Sequence, residues 1–279
     1  MQPFGDRVVE AVGRLGPLCV GIDPSPALLA RWDLPDGPDG VRAFGERCVE
    51  LLTGAVAVVK PQVAFFERHG AAGMAALEAV IAAARAAGML VIADAKRGDV
   101  ASTAEAYGDA WFASPLAADA VTVTPYVGVG ALEPMVAAAR RVGGGVLVLT
   151  ASSNPEGRAI QQAVAEDGRT VERAVLDAVT DLNRKELATG PAQRLGSVGA
   201  VIGATRSPEA LPLPAAGGVL LAPGLGAQGA TAAQVGAVFA GCPAGSVLPS
   251  ASRALLAAGP AALRAGADRL QKDLAAVLG

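Results

Sequence analysis

Asp94 and Lys96 stand two residues apart, just beyond the apolar residues 89–93, in the stretch Asp94-Ala95-Lys96-Arg97-Gly98-Asp99. On an extended strand alternate side chains share a face, so this spacing predicts a carboxylate and an ammonium projecting together from a strand end. Pairing lowers the cost of desolvating both charges, and an ammonium held by a carboxylate stays protonated and can donate a proton from a fixed position. One isolated D-x-K is also what an ordinary strand-end salt bridge looks like, and structural ion pairs perturb ionisation too.

Lysine usage points to the same place. Only four of the 23 basic residues are lysine, Lys60, Lys96, Lys185 and Lys272. A lysine ammonium can give up its proton, whereas a guanidinium effectively cannot. Lys60 and Lys96 both follow apolar runs, so they are the basic residues most suited to lysine chemistry. Either could instead pair with an acid at the rim of a core.

The elements that must position these groups follow from the apolar pattern. Eight short apolar runs, residues 18–22, 55–59, 90–93, 120–124, 145–149, 199–203, 218–222 and 246–248, alternate with Gly-, Pro- or Ser-rich turns and alanine-rich stretches. Helices are predicted, for example, over 73–87 and 171–187, and the tail 260–279 reads as an amphipathic helix closing the barrel or a dimer. Continuous apolar strands alternating with helices signal a parallel sheet covered by helices, and eight such units predict closure into a (β/α)8 barrel. At 279 residues the whole chain, 1–279, fits one such domain.

Polar residues then fall at C-terminal strand ends, the face that carries the active site in this architecture. They are Asp23 after the first run, Lys60 after the second, Asp94 and Lys96 after the third, Thr124 and Tyr126 after the fourth, Ser152 and Ser153 after the fifth, and Arg253 after the eighth. Singly, Asp23, Ser152 or Ser153 could be capping or turn residues. After the seventh run comes Pro223-Gly224-Leu225-Gly226-Ala227-Gln228-Gly229. Glycines admit an anion close to backbone N–H groups, and Arg253 could bind two phosphate oxygens, so a phosphate site after strands seven and eight is predicted.

Composition narrows the classes. A net charge of −3 and scattered Arg and Lys give no footprint for nucleic acid. Residues 210–252 carry no charge, but five prolines cut them into pieces too short to span a bilayer. The first sixteen residues carry Asp6, Arg7, Glu10 and Arg14 and no apolar targeting core, which predicts a cytoplasmic protein. Three cysteines without C-x-x-C spacing fit a reducing compartment and read as small buried hydrophobes. His69 is the sole histidine, which argues against histidine catalysis and a multi-histidine metal site. Trp32 and Trp111 read as packing residues.

Together these motifs resemble the orotidine 5′-phosphate decarboxylases. The likeness runs from Gly21-Ile22-Asp23 through Lys60-Pro61-Gln62-Val63-Ala64-Phe65-Phe66-Glu67, the Asp94–Asp99 stretch and Ser153-Asn154-Pro155 to Pro223–Gly229 and Arg253. The D-x-K-x-x-D element is shared with related sugar-phosphate decarboxylases and synthases, whereas its combination with K-P-Q-x-A-F-F-E and P-G-x-G-A-Q-G is specific. The length, and an extended connection over 155–197 after strand five, look like the longer bacterial branch.

The resemblance implies cofactor-free decarboxylation of orotidine 5′-monophosphate to uridine 5′-monophosphate in pyrimidine synthesis. It implies Lys96 as the general acid at C6 of the pyrimidine, Asp94 against the departing carboxylate, and Lys60 and Asp23 at the ribose. Ser153 would meet the pyrimidine edge, and Pro223, Gln228 and Arg253 the phosphate end. It further implies a homodimer in which Asp99 and Thr103 reach the neighbouring subunit's site. Two positions depart from the pattern: Ser252 and Leu256 stand where many members have glycine and tyrosine, which predicts a missing or replaced phosphate contact. Rival readings are a Mg²⁺-dependent sugar-phosphate decarboxylase or aldolase, a Schiff-base aldolase using Lys96 or Lys60, and a non-catalytic nucleotide-binding barrel.

Overall fold

A computed structural model of the chain describes residues 2–113, 115–189, 194–206, 211–226 and 229–278. Eight parallel strands pair in chain order and close on themselves: β1 (Cys19–Ile22), β2 (Val58–Pro61), β3 (Leu90–Arg97), β4 (Ala120–Val123), β5 (Gly145–Ala151), β6 (Val198–Ile202), β7 (Leu220–Pro223) and β8 (Val247–Ala251). Every strand is buried along most of its length, as strands clothed on both faces must be, and the predicted (β/α)8 barrel is present.

Strand alternation sorts the apolar residues into two cores. Cys19, Val58, Ile92, Ala120, Leu147, Leu221 and Leu248 fill the barrel interior, in one cluster with Phe4 and Val8. Their neighbours Val20, Val59, Val91, Val121 and Val148 face outward and join the helices in a second cluster. The helix Phe4–Leu15 plugs the N-terminal end of the barrel. A Cβ at Gly145 would lie 2.3 Å from the Phe4 ring, so glycine there is what admits the plug. Arg7 anchors it by donating to Asp119 Oδ1 at 2.6 Å, while Asp119 Oδ2 accepts from Val91 N at 2.8 Å.

Several strands begin or end later than their apolar runs predict, β3 continuing to Arg97 and β5 to Ala151, and the shifts of β2 and β8 also matter for the site. Residues 55–56 are drawn into the end of helix Pro38–Leu52, where the N–H groups of Ala55 and Val56 donate to Leu52 O. Pairing with β1 starts at Val58, so Lys60 lies within β2 rather than beyond it. β8 runs through Pro249 to Ala251, a proline that the parallel pairing with Ala222 accommodates. The predicted helices occupy Gly70–Ala86 and Val171–Thr189. The tail forms helix Pro260–Leu278, which packs on helices Ala232–Val238 and Pro38–Leu52 and so closes the barrel's outer layer. Between β5 and β6 the long connection carries the short helix Arg158–Gln161 and the helix Val171–Thr189.

Among the described residues no helix is long and apolar enough to cross a membrane. Trp32 and Trp111 are packing residues, both almost fully buried. Cys19 and Cys48 are buried as predicted and Cys242 is half-buried; burial pushes the Cys19 thiol up to about 12.

Candidate active site

Two residues beyond five of the interior apolar residues, the same strand face changes character. Val58 is followed by Lys60, Ile92 by Asp94, Ala120 by Thr122, Leu221 by Pro223 and Leu248 by Ser250. This layer forms the floor of a cavity of about 270 Å³ at the C-terminal end of the barrel, whose walls include Asp23, Gln62, Ser153 and Arg253. Strand periodicity thus converts a hydrophobic plug into a polar floor within one pleat repeat.

Asp94 is the hub. Its Oδ2 accepts from Lys60 Nζ at 2.5 Å and Gln62 Nε2 at 3.1 Å; its Oδ1 accepts from Lys96 Nζ at 2.6 Å and Thr122 Oγ1 at 2.9 Å. The Lys60 and Asp94 side chains are only 8% and 10% exposed, whereas that of Lys96 is 46% exposed. Burial raises the ionisation point of Asp94, but the Lys60 and Lys96 charges outweigh it and hold the carboxyl well below the usual range. Burial likewise pushes Lys60 down, and the charges of Asp94 and Asp23 overcome it and hold Lys60 above the ordinary lysine range. The site therefore presents a fixed carboxylate between two ammonium groups that both line the cavity, one almost fully buried and one half-exposed.

Regular alternation does not produce this arrangement. Ala93 pairs with Val121 and Arg97 with Val123, so Asp94, Ala95 and Lys96 stand against Thr122 alone. Lys96 has φ of 50°, in the left-handed region that costs a non-glycine residue about 1–3 kcal/mol. The bulge and that turn of the backbone, rather than a straight strand, bring the Lys96 ammonium back onto Asp94. Ala95 packs outward into the helix-facing core, on the opposite side as predicted.

Of the residues singled out by sequence, Asp23, Lys60, Asp94, Lys96, Ser153, Pro223 and Arg253 all line the cavity. Asp23 Oδ1 and Ser252 Oγ are buried with no hydrogen-bond partner, an arrangement that costs free energy until something pairs them. Leu256 is fully buried in the core and its carbonyl accepts from Trp32 Nε1 at 2.9 Å, so that position contributes nothing to the cavity. Thr124 and Tyr126 do not line it either, and Tyr126 is 84% exposed. Asp99 is half-buried, accepting from Val100 N at 2.8 Å, and Thr103 is exposed on helix Ala101–Phe112; neither reaches this chain's own cavity. Gln228 lies outside the described residues.

Sequence reasoning missed Thr122 and Gln62 as site residues. Each had a signal: Thr122 is the one polar residue of β4, and Gln62 follows Lys60 at the same-face spacing. Among the described residues no group of three or more His, Cys, Asp or Glu side chains is gathered that could hold a metal ion.

The model of the orotidine 5′-phosphate decarboxylase / HUMPS family matches residues 16–266. The chain belongs to this family. Two curated decarboxylase/HUMPS-family relatives, the orotidine 5′-phosphate decarboxylases of Salinispora arenicola and Salinispora tropica, are 54% and 53% identical over 100% of this chain and 99% of their own. A crystal structure assigned as an orotidine 5′-phosphate decarboxylase from Streptomyces avermitilis superimposes with TM-score 0.92 at 47% identity, covering 100% of this chain and 96% of that one. The OMP decarboxylase of Leishmania donovani superimposes with TM-score 0.78 at 32% identity, covering 99% of each chain. In this decarboxylase/HUMPS-family barrel the matched span holds every strand and every cavity-lining residue named above.

Proposed function

We propose that the chain, acting as one barrel domain, is an orotidine 5′-phosphate decarboxylase that converts orotidine 5′-monophosphate to uridine 5′-monophosphate and CO2 in pyrimidine synthesis. The observation that carries this reading is Asp94 held between Lys60 and Lys96 on the cavity floor, with Lys96 the exposed member.

The bond from C6 to the carboxylate breaks, CO2 leaves, and the electron pair stays at C6. The Lys96 ammonium stabilises that charge and then transfers its proton to C6, to be reprotonated from solvent. Asp94, unable to take up a proton near neutral pH, sits against the departing carboxylate and holds Lys96. Lys60 and the unpaired Asp23 Oδ1 meet the ribose hydroxyls, which supply the donors that Asp23 lacks. Ser153 meets the pyrimidine edge, and Pro223, Gln228 and Arg253 meet the phosphate. No cofactor takes part. The enzyme works as a cytoplasmic homodimer, in keeping with its free cysteines. Asp99 and Thr103, which do not line their own chain's cavity, serve the neighbouring protomer's site.

The test is the ultraviolet absorbance change on mixing the protein with orotidine 5′-monophosphate in EDTA. The parent should turn over, and Lys96→Ala should lose at least about 10³-fold in kcat while still binding uridine 5′-monophosphate, because a proton donor acts in the transition state. Normal turnover by Lys96→Ala would remove Lys96 from the mechanism. An inert parent that becomes active on a sugar phosphate with Mg²⁺ would replace the whole reading.

A further inference from the structure

Neither burial nor regular backbone explains why Lys96 stays where it is. Its side chain is 46% exposed, its backbone is at φ 50°, and it lies at the end of a three-residue bulge. Thr122, only 2% exposed, is the single β4 residue opposite that bulge. Lys96 N donates to Thr122 Oγ1 at 3.0 Å, and Thr122 Oγ1 donates to Asp94 Oδ1 at 2.9 Å. Lys96 Nζ donates to the same Oδ1 at 2.6 Å, closing a ring that begins and ends on Lys96.

We propose that Thr122 is a positioning residue for the proton donor: its hydroxyl pins both the backbone and, through Asp94, the ammonium of Lys96. The proposal rests on the reading that Lys96 delivers the proton. The direction of each bond is forced. Since the hydroxyl oxygen accepts the Lys96 N–H, and a carboxylate can only accept, the hydroxyl proton points at Asp94. With Lys60 and Gln62 on Oδ2 and Thr122 and Lys96 on Oδ1, four donors saturate the carboxylate, so it cannot rotate to follow a displaced lysine. Removing the hydroxyl frees one position on Oδ1 and orphans the N–H of a residue already in an unfavourable conformation. Lys96 then has a way out of the geometry in which its proton reaches C6.

Thr122→Val keeps the side chain's shape and deletes only the hydroxyl, and Thr122→Ser returns it. Activity is measured as kcat and KM for orotidine 5′-monophosphate, and Lys96 is followed independently by NMR of protein labelled with ¹³C-lysine. Four lysines make that spectrum simple, and Lys96→Arg assigns the signal. In Thr122→Val, kcat should fall about 10- to 100-fold with KM little changed, as for a misplaced catalytic group. The Lys96 signal should shift or broaden while the Lys60 signal stays, and Thr122→Ser should restore both readouts. An unmoved Lys96 signal in a folded Thr122→Val would overturn the proposal, as would parallel losses in kcat and KM that serine fails to rescue. The NMR readout needs no turnover, so a parent inert on this substrate would sink the decarboxylase reading while the signal still judges the hold of Thr122 on Lys96.

Discussion

The two ends of the barrel are built from the same strands and differ by one pleat repeat. At the N-terminal end, Val58, Ile92 and Ala120 close on Phe4 and Val8. At the C-terminal end, Lys60, Asp94 and Thr122 take the equivalent inward positions, and Lys60 and Thr122 both donate to Asp94. A hollow of about 680 Å³ lies at the N-terminal end, and Arg194 is its one charged lining residue among those described. At the C-terminal end the cavity of about 270 Å³ adjoins another of about 600 Å³, and Asp23, Gln62, Asp94, Lys96 and Arg253 line both. Converging charge, rather than volume, sets the C-terminal end apart: charges tolerate burial only when each is paired, and a row of paired charges facing an opening is suited to a ligand.

Three substitutions test whether the ends are as separate as this comparison holds. Asp94→Asn should have the largest effect, near-complete loss of turnover with a folded-state loss of about 3–5 kcal/mol, since it leaves buried Lys60 without its main partner. Its pH signature follows from the sign of the shift. The folded-state Asp94 lies below its unfolded value, so in the parent its stabilisation is present above about pH 4 and is lost as pH falls further. That part of the acid limb should be missing in the variant, as read by denaturant unfolding between about pH 2 and 6; an unchanged limb would show that the lysines do not hold Asp94.

Phe4→Ala should cost a similar 3–5 kcal/mol or so by opening a cavity under Gly145, but leave kcat of the folded fraction near that of the parent. A large drop in kcat there would break the comparison by coupling plug to site. Arg253→Ala should act least, raising KM roughly 10- to 100-fold through a lost charge-assisted contact while kcat at saturation and the melting temperature stay close to the parent's. Unchanged KM would direct Arg253 away from the phosphate.

The barrel was legible because eight apolar runs alternate with helices, a pattern that burial on both strand faces imposes. Lys60, Asp94, Lys96 and Arg253 were legible because rare lysines and charged residues at the ends of apolar runs have few structural uses. The strand limits were less so: residues 55–56 are as apolar as a strand, yet the preceding helix claims their backbone. Thr122 passed unnoticed because a threonine inside a β-branched strand is ordinary by composition, and its importance depends on what lies across the sheet.

By itself the amino-acid sequence determined the fold class, the strand face that carries charge and the residue types available for proton transfer, all of which follow from local periodicity and side-chain chemistry. Only the tertiary structure decided that the D-x-K pair meets through a bulge instead of a straight strand, that Lys60 closes on Asp94 from the neighbouring strand, and that a β4 hydroxyl ties them together. Register between strands far apart in the chain sets those contacts, and no local spacing encodes it.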